Sequence, residues 1–363
     1  MKFLITGGGT SGHINPALTI AQALSDRAKE EGSECEILFT GRKNGLEGEL
    51  IPKAGWDFRD VEALPMPMKP TAKFFKALAA MRRGMNTCIK IIDEFKPDAV
   101  ISTGGYVSGP LLRAAIRRNI PIVLHESNAF AGRANKVFAR KAELILTGFP
   151  NCEDNFKTKG KVVFVGNPVR SRVFDYSYES ARAELGLAED EFLIFAMGGS
   201  LGSATITGFI LDFAVRNPQY RFRLSCGKQN TVPVPDDLPP NITVSEYIDD
   251  PEIYLAAADI CILRSGAITC AEACAAGACV VFIPYPYAAH DHQTYNAESI
   301  RSEGGCEVIA DDKVKDGLEK IISDLASDKD KRDSMRKAAK ALSVSDTTDR
   351  ICDAILGVIR KQN

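Results

Sequence analysis

The sequence predicts an α/β protein made of two Rossmann-like domains with parallel sheets. Its 363 residues correspond to two domains at about 150 residues each. Short apolar runs alternate with segments of helical periodicity, which is typical of parallel strands joined by crossover helices. A strand leads into a glycine-rich loop at Gly7 and again at Gly198, about half a chain later. We therefore expect one such unit in each half of the chain.

Strands are predicted where clusters of apolar residues lie between turn residues. In the first half these clusters cover residues 2–6, 36–39, 99–102, 120–125, 144–147 and 162–165. In the second half they cover residues 192–197, 221–225, 242–245, 260–263 and 279–283. The segments between them are mostly long enough to hold crossover helices.

Two helices and one boundary have clear sequence signals. Residues 15–29 are predicted to form the first crossover helix, because Pro16 suits a first turn and apolar residues follow at helical spacing. Residues 346–361 are predicted to form the last helix, and its isoleucines recur every four residues at Ile351, Ile355 and Ile359. The boundary is expected at the turn residues Gly-Asn-Pro, 166–168, with the domains facing each other across a cleft.

Composition excludes several classes of protein. The chain carries 45 basic and 47 acidic residues, a net charge of −2, which argues against a nucleic-acid binder. No apolar run approaches the roughly 18 residues that span a bilayer, and the N-terminus lacks the pattern of a signal peptide. The ten cysteines include no C-x-x-C pair, so we expect them to pack as small apolar residues in a reducing compartment. A cytoplasmic protein is expected.

The first glycine loop, GGGTSG at residues 7–12, satisfies G-x-G-x-x-G between a strand and a helix. Glycine allows backbone N–H groups to approach a negative group, and the helix N-terminus adds positive potential. A dinucleotide site also needs an acid after the second strand to hold the ribose, but this strand ends Thr40-Gly41-Arg42. An NADP-dependent oxidoreductase stays open as an alternative, and so does a purely structural turn.

Further motifs follow other predicted strands. A second loop, GGSLGS, covers residues 198–203, GGYVSGP covers 104–110 and HESN covers 125–128. RSGAIT at 264–269 precedes a helix, and HDHQ at 290–293 follows the strand VVFIPYP. Because open α/β sheets bind ligands at the carboxyl ends of their strands, we expect these motifs to form a ligand site.

Eight motifs occur in the order found in the MurG family, the bacterial N-acetylglucosaminyltransferases of peptidoglycan synthesis. They are GGGTSGH, GGYVSGP, HESN, GNPVR, GGSLGS, EYIDD, RSGAITCAE and DHQTYNA. The resemblance implies the GT-B fold, with residues 1–166 and 346–363 as an acceptor and membrane-facing domain. Residues 167–345 would then bind UDP-N-acetylglucosamine. Two positions depart from the family pattern: Ser11 replaces a glycine, and Leu201 replaces a glutamine.

The resemblance also implies a donor site for UDP-N-acetylglucosamine. The backbone of Ile248 would bind the uracil edge, and Glu272 would accept hydrogen bonds from the ribose hydroxyls. The diphosphate would be bound by Ser200 and Thr269, with Arg170 adding positive charge. The remaining donor contacts are expected from Thr10, Ser11, Gly12, Asn128, Ala267, Ile268 and Gln293.

The implied acceptor is lipid I, undecaprenyl-diphospho-N-acetylmuramoyl pentapeptide, and the product is lipid II. His13, at a helix N-terminus that disfavours the imidazolium, would be the base for an inverting transfer. Acceptor contacts are expected from Gly9, Gly104, Gly105, Tyr106 and Glu126. Helix N-termini and Arg170 would stabilise the leaving UDP, so no obligatory metal or cofactor is expected.

Residues 63–92 contain no acid and six basic residues, with Phe74, Phe75, Leu78, Met81 and Met85 among them. This pattern is typical of a helix that binds an anionic inner-leaflet surface, which would make the protein peripheral to the cytoplasmic side of the membrane. The same apolar residues, Phe75 apart, also have the spacing of a core-facing stripe, so both interpretations stay open. Other open alternatives are another GT-B UDP-sugar transferase, a UDP-sugar epimerase and a non-catalytic nucleotide-sugar sensor.

Overall fold

Parallel sheets form the centre of both units in the computed structural model, which describes residues 1–67, 69–150, 152–199, 201–288 and 291–360. The chain divides into one unit of Met1–Pro168 with Asp346–Asn363, and a second unit of Val169–Ser345. The division falls at the end of the Gly-Asn-Pro turn, just beyond the expected boundary after residue 166.

The first unit contains a seven-stranded sheet within the described residues, in the order β3-β2-β1-β4-β5-β6-β7. Its strands are β1 (Lys2–Thr6), β2 (Glu36–Gly41), β3 (Asp57–Asp60), β4 (Ala99–Ser102), β5 (Ile122–Glu126), β6 (Leu144–Thr147) and β7 (Lys161–Phe164). Its first helices are α1 (Ser11–Glu30), α2 (Leu46–Lys53), α3 (Ala72–Phe95), α4 (Ser108–Arg118) and α5 (Arg133–Phe138).

The second unit contains a six-stranded sheet in the described part of the chain, in the order β10-β9-β8-β11-β12-β13. Its strands are β8 (Phe192–Met197), β9 (Tyr220–Ser225), β10 (Ile242–Ser245), β11 (Ile260–Leu263), β12 (Val280–Phe282) and β13 (Cys306–Val308). Its helices are α6 (Tyr178–Glu184), α7 (Ala204–Arg216), α8 (Pro251–Ala257), α9 (Ala267–Ala276), α10 (His292–Arg301), α11 (Val314–Ser327) and α12 (Lys329–Ala341).

All strand pairs described are parallel, which confirms the predicted α/β class. Every apolar run that predicts a strand forms one, and most of these strands lie inside their sheet, where parallel strands are buried on both faces. Two strands, β3 and β13, are absent from the prediction. Each lies at the edge of its sheet, and their sequences DFRD and CEV contain no continuous apolar run.

The first helix begins earlier than predicted, at Ser11 rather than residue 15. Thr10 has extended backbone, and its carbonyl accepts hydrogen bonds from the N–H groups of His13 and Ile14 at 3.1 and 3.2 Å. Pro16 therefore lies inside the helix rather than in its first turn. At this position proline lacks the N–H group that would otherwise bond to the carbonyl four residues earlier. The loop passes into the helix directly, so His13 belongs to the first helical turn.

The last helix, α13 (Thr347–Ile359), packs on the first unit. Ile351, Ile355 and Ile359 are buried, as their spacing predicts. Arg27 of α1 also pairs with Asp349 and Asp353 of α13, at 3.0 and 3.4 Å. The C-terminal segment thus completes the core of the unit that begins the chain.

Burial of the cysteines agrees with their expected packing role. Nine are buried, Cys35 is half-buried, and all ten are free thiols. Burial raises the pKa of Cys274 to about 12, so its thiol stays protonated and unreactive at neutral pH. Among the described helices, none is both long and apolar enough to cross a membrane.

Shortening a buried side chain of the last helix tests how much this helix contributes to the stability of the first unit. Ile355→Ala should lower the free energy of unfolding by about 2–4 kcal/mol, because the removed side chain is fully buried and leaves a cavity. Thr348→Ala, an exposed position in the same helix, should change it by less than about 0.5 kcal/mol. Denaturant unfolding of both variants measures the difference, and equal stabilities would show that α13 does not belong to the core.

Candidate functional site

The two glycine-rich loops of the first unit touch each other through their backbones. A Cβ atom on Gly105 would overlap the carbonyl oxygen of Gly8, so no side chain fits at this position unless the two loops move apart. Gly104 and Gly105 have φ values of 102° and 86°, which favour glycine. The loops after β1 and β4 therefore form one surface at the carboxyl edge of the sheet.

His13 lies where these loops meet. Its Nδ1 is 3.1 Å from the hydroxyl of Thr10, and its carbonyl accepts a 2.7 Å hydrogen bond from the hydroxyl of Thr103. A Cβ on Gly104 would lie 3.1 Å from the imidazole Cδ2, so this glycine leaves room for the ring. The imidazole is partly exposed. Loop and helix together give it a defined position beside solvent.

Glu47 lies beneath the first glycine loop and is absent from the sequence prediction. It is fully buried, and its two carboxylate oxygens accept hydrogen bonds from the N–H groups of Gly9 and Arg42, at 3.1 and 3.2 Å. The Gly9 N–H, expected to contact the acceptor, is thus already bonded within the protein. A glutamate soon after the second strand was the available signal, although its burial depends on the fold.

Tyr106 and Arg42 connect the same loops from outside. The Arg42 guanidinium donates a 2.5 Å hydrogen bond to the Tyr106 hydroxyl, and a Cβ on Gly9 would lie 3.1 Å from the Tyr106 ring. Arg42 is the residue that an NADP site would use for the ribose phosphate. In this structure it holds Tyr106 instead.

Glu126 is buried and fully bonded inside its own loop. One carboxylate oxygen accepts from the N–H and side-chain amide of Asn128, at 3.0 and 3.2 Å. The other accepts from Gly132 N–H and the Asn135 amide, at 2.8 and 2.9 Å. With these bonds the carboxylate orients Asn128 and does not face solvent. Thr10, Ser11 and Gly12, by contrast, are exposed at the start of α1.

The glycine loop of the second unit also packs its backbone closely against a neighbouring segment. Gly199 and Gly202 have φ values of 82° and 91°, and a Cβ on Gly202 would overlap the carbonyl oxygen of Cys226. Ser203 caps α7, its hydroxyl accepting from the N–H of Ile206 at 3.3 Å. Leu201, where the MurG family has glutamine, is exposed. The predicted donor residue Ser200 lies outside the described residues.

Arg264 supports this loop from below and is missing from the predicted site. Its guanidinium donates to the hydroxyl of Ser203 at 2.6 Å and to the carbonyls of Ile283 and Pro284. An ion pair of 2.6 Å with Asp311 balances its charge. A basic residue at the end of a buried strand was the available signal, since such a charge needs several partners.

Arg170 is brought together with the YIDD segment that contains Ile248. Its guanidinium donates to the carbonyl of Asp249 at 2.9 Å and to Glu252 at 3.0 Å. Glu252 is buried, whereas about half of the Arg170 side chain is exposed, so a buried carboxylate anchors a partly exposed guanidinium. The Ile248 side chain is buried, and its sequence neighbours Tyr247 and Asp249 are polar.

Glu272 lies on α9 within the electrostatic field of Arg170. Burial raises the pKa of Glu272 to about 7; the guanidinium of Arg170 opposes this rise and the carboxylate of Glu252 adds to it. Both charged and neutral forms of Glu272 are therefore populated near neutral pH. Arg170 and Glu272 are therefore close enough for the charge of each to influence the other.

The N-terminus of α9 contains further residues that are expected to bind UDP-N-acetylglucosamine. Ala267, Ile268 and Thr269 form its first turn, which contains no acidic residue to compete for an anion. Gln293 is held beside it, because its backbone carbonyl accepts from the Ser265 hydroxyl at 2.8 Å and its side-chain oxygen accepts from Tyr285 N–H at 2.9 Å. These contacts give the Gln293 amide a fixed orientation.

Acidic residues outside these loops have other roles. Asp328, in the Asp328-Lys329-Asp330 sequence, caps α12 by accepting a hydrogen bond from Lys331 N–H at 2.9 Å. In the described ranges, no group of three or more His, Cys, Asp or Glu side chains is arranged to hold a metal ion.

The buried face of α3 differs in part from the core-facing stripe that its apolar spacing allows. Ala77, Ala80, Gly84 and Cys88 form the buried face, whereas Leu78, predicted to face the core, is 41% exposed and Phe75 is 63% exposed. Small residues face inward because α4 packs closely here: a Cβ on Gly84 would lie 3.1 Å from Pro110. Phe75 and Leu78 therefore point outward among lysines, whereas Phe74, Met81 and Met85 are half-buried.

Comparisons with known proteins agree with this architecture. Residues 3–147 match the glycosyltransferase family 28 N-terminal domain, and residues 193–351 match the family 28 C-terminal domain. A UDP-N-acetylglucosamine–N-acetylmuramyl-(pentapeptide) pyrophosphoryl-undecaprenol N-acetylglucosamine transferase from Acetivibrio thermocellus is 35% identical. That alignment covers 100% of this chain and 99% of the relative.

Solved structures share the fold over the same length. MurG from Acinetobacter baumannii is 25% identical, with a TM-score of 0.79 over 98% of this chain and 99% of its own. A UDP-GlcNAc 2-epimerase from Neisseria meningitidis has a TM-score of 0.68 over 98% of this chain and 100% of its own, but only 14% identity, which shows the fold alone. The predicted GT-B class is thereby confirmed. Because both domain models and a full-length relative match, the chain belongs to glycosyltransferase family 28, as the resemblance of its motifs to the MurG family predicts.

Proposed function

We propose that this protein transfers N-acetylglucosamine from UDP-N-acetylglucosamine to the muramoyl 4-hydroxyl of undecaprenyl-diphospho-N-acetylmuramoyl pentapeptide. The product would be lipid II, the precursor of peptidoglycan in the cell wall. The observation that carries the proposal is full-length similarity, over both units of the chain, to a relative named for this transfer. Donor and acceptor sides of the relative therefore both have counterparts here.

The first unit supplies the acceptor side of the proposed reaction. Gly104, Gly105 and Tyr106 form the loop surface beside His13, and that surface adjoins the N-terminus of α1. His13 is the proposed base that takes the proton of the attacking hydroxyl, because it lies in the first helical turn beside the glycine loops and is partly exposed. Glu126 orients Asn128 for a substrate contact.

The second unit supplies the donor side. Ile248 is proposed to bind uracil through its backbone, and Glu272 to accept from the two ribose hydroxyls. The departing diphosphate would be stabilised by Arg170 and by the N-termini of α7 and α9, whose first turns contain no acid. Because these groups already provide positive potential, we propose that no metal or cofactor is obligatory.

We further propose that the protein binds the cytoplasmic membrane surface as a peripheral protein, with α3 in contact. Phe75 and Leu78 are exposed apolar side chains, and Lys73, Lys76 and Arg82 are exposed beside them. Arg83 differs, because Glu62 accepts two 2.7 Å hydrogen bonds from its guanidinium. The acceptor's undecaprenyl chain requires an enzyme that reaches a bilayer.

Release of UDP tests the proposed function directly. With UDP-N-acetylglucosamine as donor, UDP should appear only when a lipid I analogue is present, and it should match the acceptor consumed. Acceptor-independent conversion of the donor to another UDP-sugar would favour an epimerase. Binding of the donor without any turnover would favour a sensor.

Removing the proposed base should slow chemistry without weakening donor binding. His13→Ala should lower kcat by about 10²–10⁴-fold, the range typical of general acid–base catalysis. Asn15→Ala, an exposed change on the same helix, should leave kcat near the wild-type value. Steady-state kinetics with donor titration measure both. Near-full turnover by His13→Ala would assign the base to another group.

Donor binding should depend on pH through Glu272. Because the ribose hydroxyls donate to the ionised carboxylate, affinity should fall as pH drops below about 7, by at most about tenfold per unit. Glu272→Gln should weaken binding at pH 8 by about 1.5–3 kcal/mol and flatten this dependence. Calorimetric titration with UDP-N-acetylglucosamine measures it, with exposed Glu303→Gln as control. Parallel pH profiles for wild type and Glu272→Gln would remove Glu272 from the ribose site.

Charge removal on α3 should weaken membrane binding. Replacing Lys73, Lys76 and Arg82 by Gln should cost about 1 kcal/mol per charge on vesicles containing phosphatidylglycerol. The matched control replaces both Arg83 and Glu62 by Gln, which removes an ion pair and leaves net charge unchanged. Vesicle sedimentation should separate the two variants. Equal binding by both would reject α3 as the membrane contact.

A further inference from the structure

Glu47 is a buried carboxylate with an unusual set of partners. It is 0% exposed, and within the part of the chain that the structure describes, no cationic side chain forms an ion pair with it. Its hydrogen bonds come from two backbone N–H groups, those of Gly9 and Arg42. A buried charge is costly unless it is bonded, so these two bonds hold the carboxylate and the two loop segments to each other.

Three glycines make room for this side chain. A Cβ on Gly8, Gly41 or Gly45 would lie under 3.0 Å from atoms of Glu47. These glycines come from the first glycine loop, the end of β2 and the residue before α2. Three separate backbone segments therefore converge on one carboxylate, and each has a residue without a side chain at the point of contact.

The contacts of Glu47 extend to Tyr106. Gly9 and Arg42, which Glu47 holds through their N–H groups, both contact Tyr106 from different sides. The carboxylate thereby fixes the first glycine loop, the segment after β2 and the position of the Tyr106 ring together. None of these contacts exposes Glu47 to solvent, so it cannot touch a substrate.

We propose that Glu47 is a positioning residue for the acceptor, acting through Gly9, Arg42 and Tyr106. This inference rests on the proposed function, because it assumes that the loops of the first unit bind the acceptor. The Gly9 N–H is turned inward by the carboxylate, and the outer face of the loop, with Tyr106, forms the acceptor surface. Loss of one carboxylate bond would let the loop relax away from this arrangement.

Glu47→Gln tests the proposal with almost no change of shape. The amide replaces one oxygen by NH₂, which cannot accept from a backbone N–H, so either the Gly9 or the Arg42 contact is lost. Acceptor kcat/KM should fall about 10–100-fold, since small misplacements of binding groups have effects of this size. The KM for UDP-N-acetylglucosamine should rise less than the KM for the acceptor, because most of the expected donor contacts lie in the second unit and only Thr10, Ser11, Gly12 and Asn128 lie in the first.

Two control variants on α2 separate positioning from general destabilisation. Exposed Glu49→Gln removes the same charge from the same helix and should leave acceptor kinetics unchanged. Fully buried Ile51→Val should lower Tm without changing acceptor kcat/KM. If Glu47→Gln does not fold, Arg42→Gln breaks the link to Tyr106 and should reduce acceptor kcat/KM in the same direction.

The outcomes distinguish this inference from the proposed function. Wild-type protein that shows no acceptor-dependent UDP release would reject the proposed function itself. An active wild type with Glu47→Gln and Arg42→Gln both at wild-type acceptor kcat/KM would overturn the positioning role. An equal rise of donor and acceptor KM in Glu47→Gln would overturn it as well.

Discussion

At the carboxyl edge of each sheet, glycine-rich loops approach their neighbours more closely than any side chain would allow. Gly105 lies against the carbonyl of Gly8 in the first unit, and Gly202 lies against the carbonyl of Cys226 in the second. These contacts bring loops from separate strands into one surface and fix where α1 and α7 begin. The position of His13 follows from them, because its ring occupies the space beside Gly104.

The glutamates near these loops fall into two groups: three bond to protein groups that they position, and one, Glu272, is the proposed ligand of the ribose. Glu47 and Glu126 are buried and bonded by N–H donors of the loops that they organise. Glu252 is also buried, but it anchors a side chain, the Arg170 guanidinium, through an ion pair. Glu272 differs, since burial raises its pKa to about 7 and it carries no such set of backbone donors among the described contacts. The protein therefore uses buried charge for positioning and a partly protonated acid at the proposed ribose site.

Local sequence patterns predict most of the fold, because an apolar run or a glycine-rich turn can be recognised from a few neighbouring residues. The edge strands β3 and β13 escape prediction, since their stability comes from pairing with a neighbour rather than from an apolar run. The spacing of Leu78 fits a core-facing stripe and a membrane-facing one equally, and only the packing of α3 on its neighbours shows that Ala77, Ala80 and Gly84 form the buried face there. Glu47 and Arg264 were missed because their partners are brought to them only by the folded chain. The motifs identified the site loops, but not the side chains that support them.

Transfer of labelled sugar tests the central claim most directly. The protein is incubated with UDP-N-acetylglucosamine tritiated in the sugar and with a lipid I analogue, and the lipid products are separated and digested. We expect one labelled N-acetylglucosamine per acceptor, joined to the muramoyl 4-hydroxyl by a β linkage. Label that stays on UDP, whether as the original sugar or as its epimer, would contradict it.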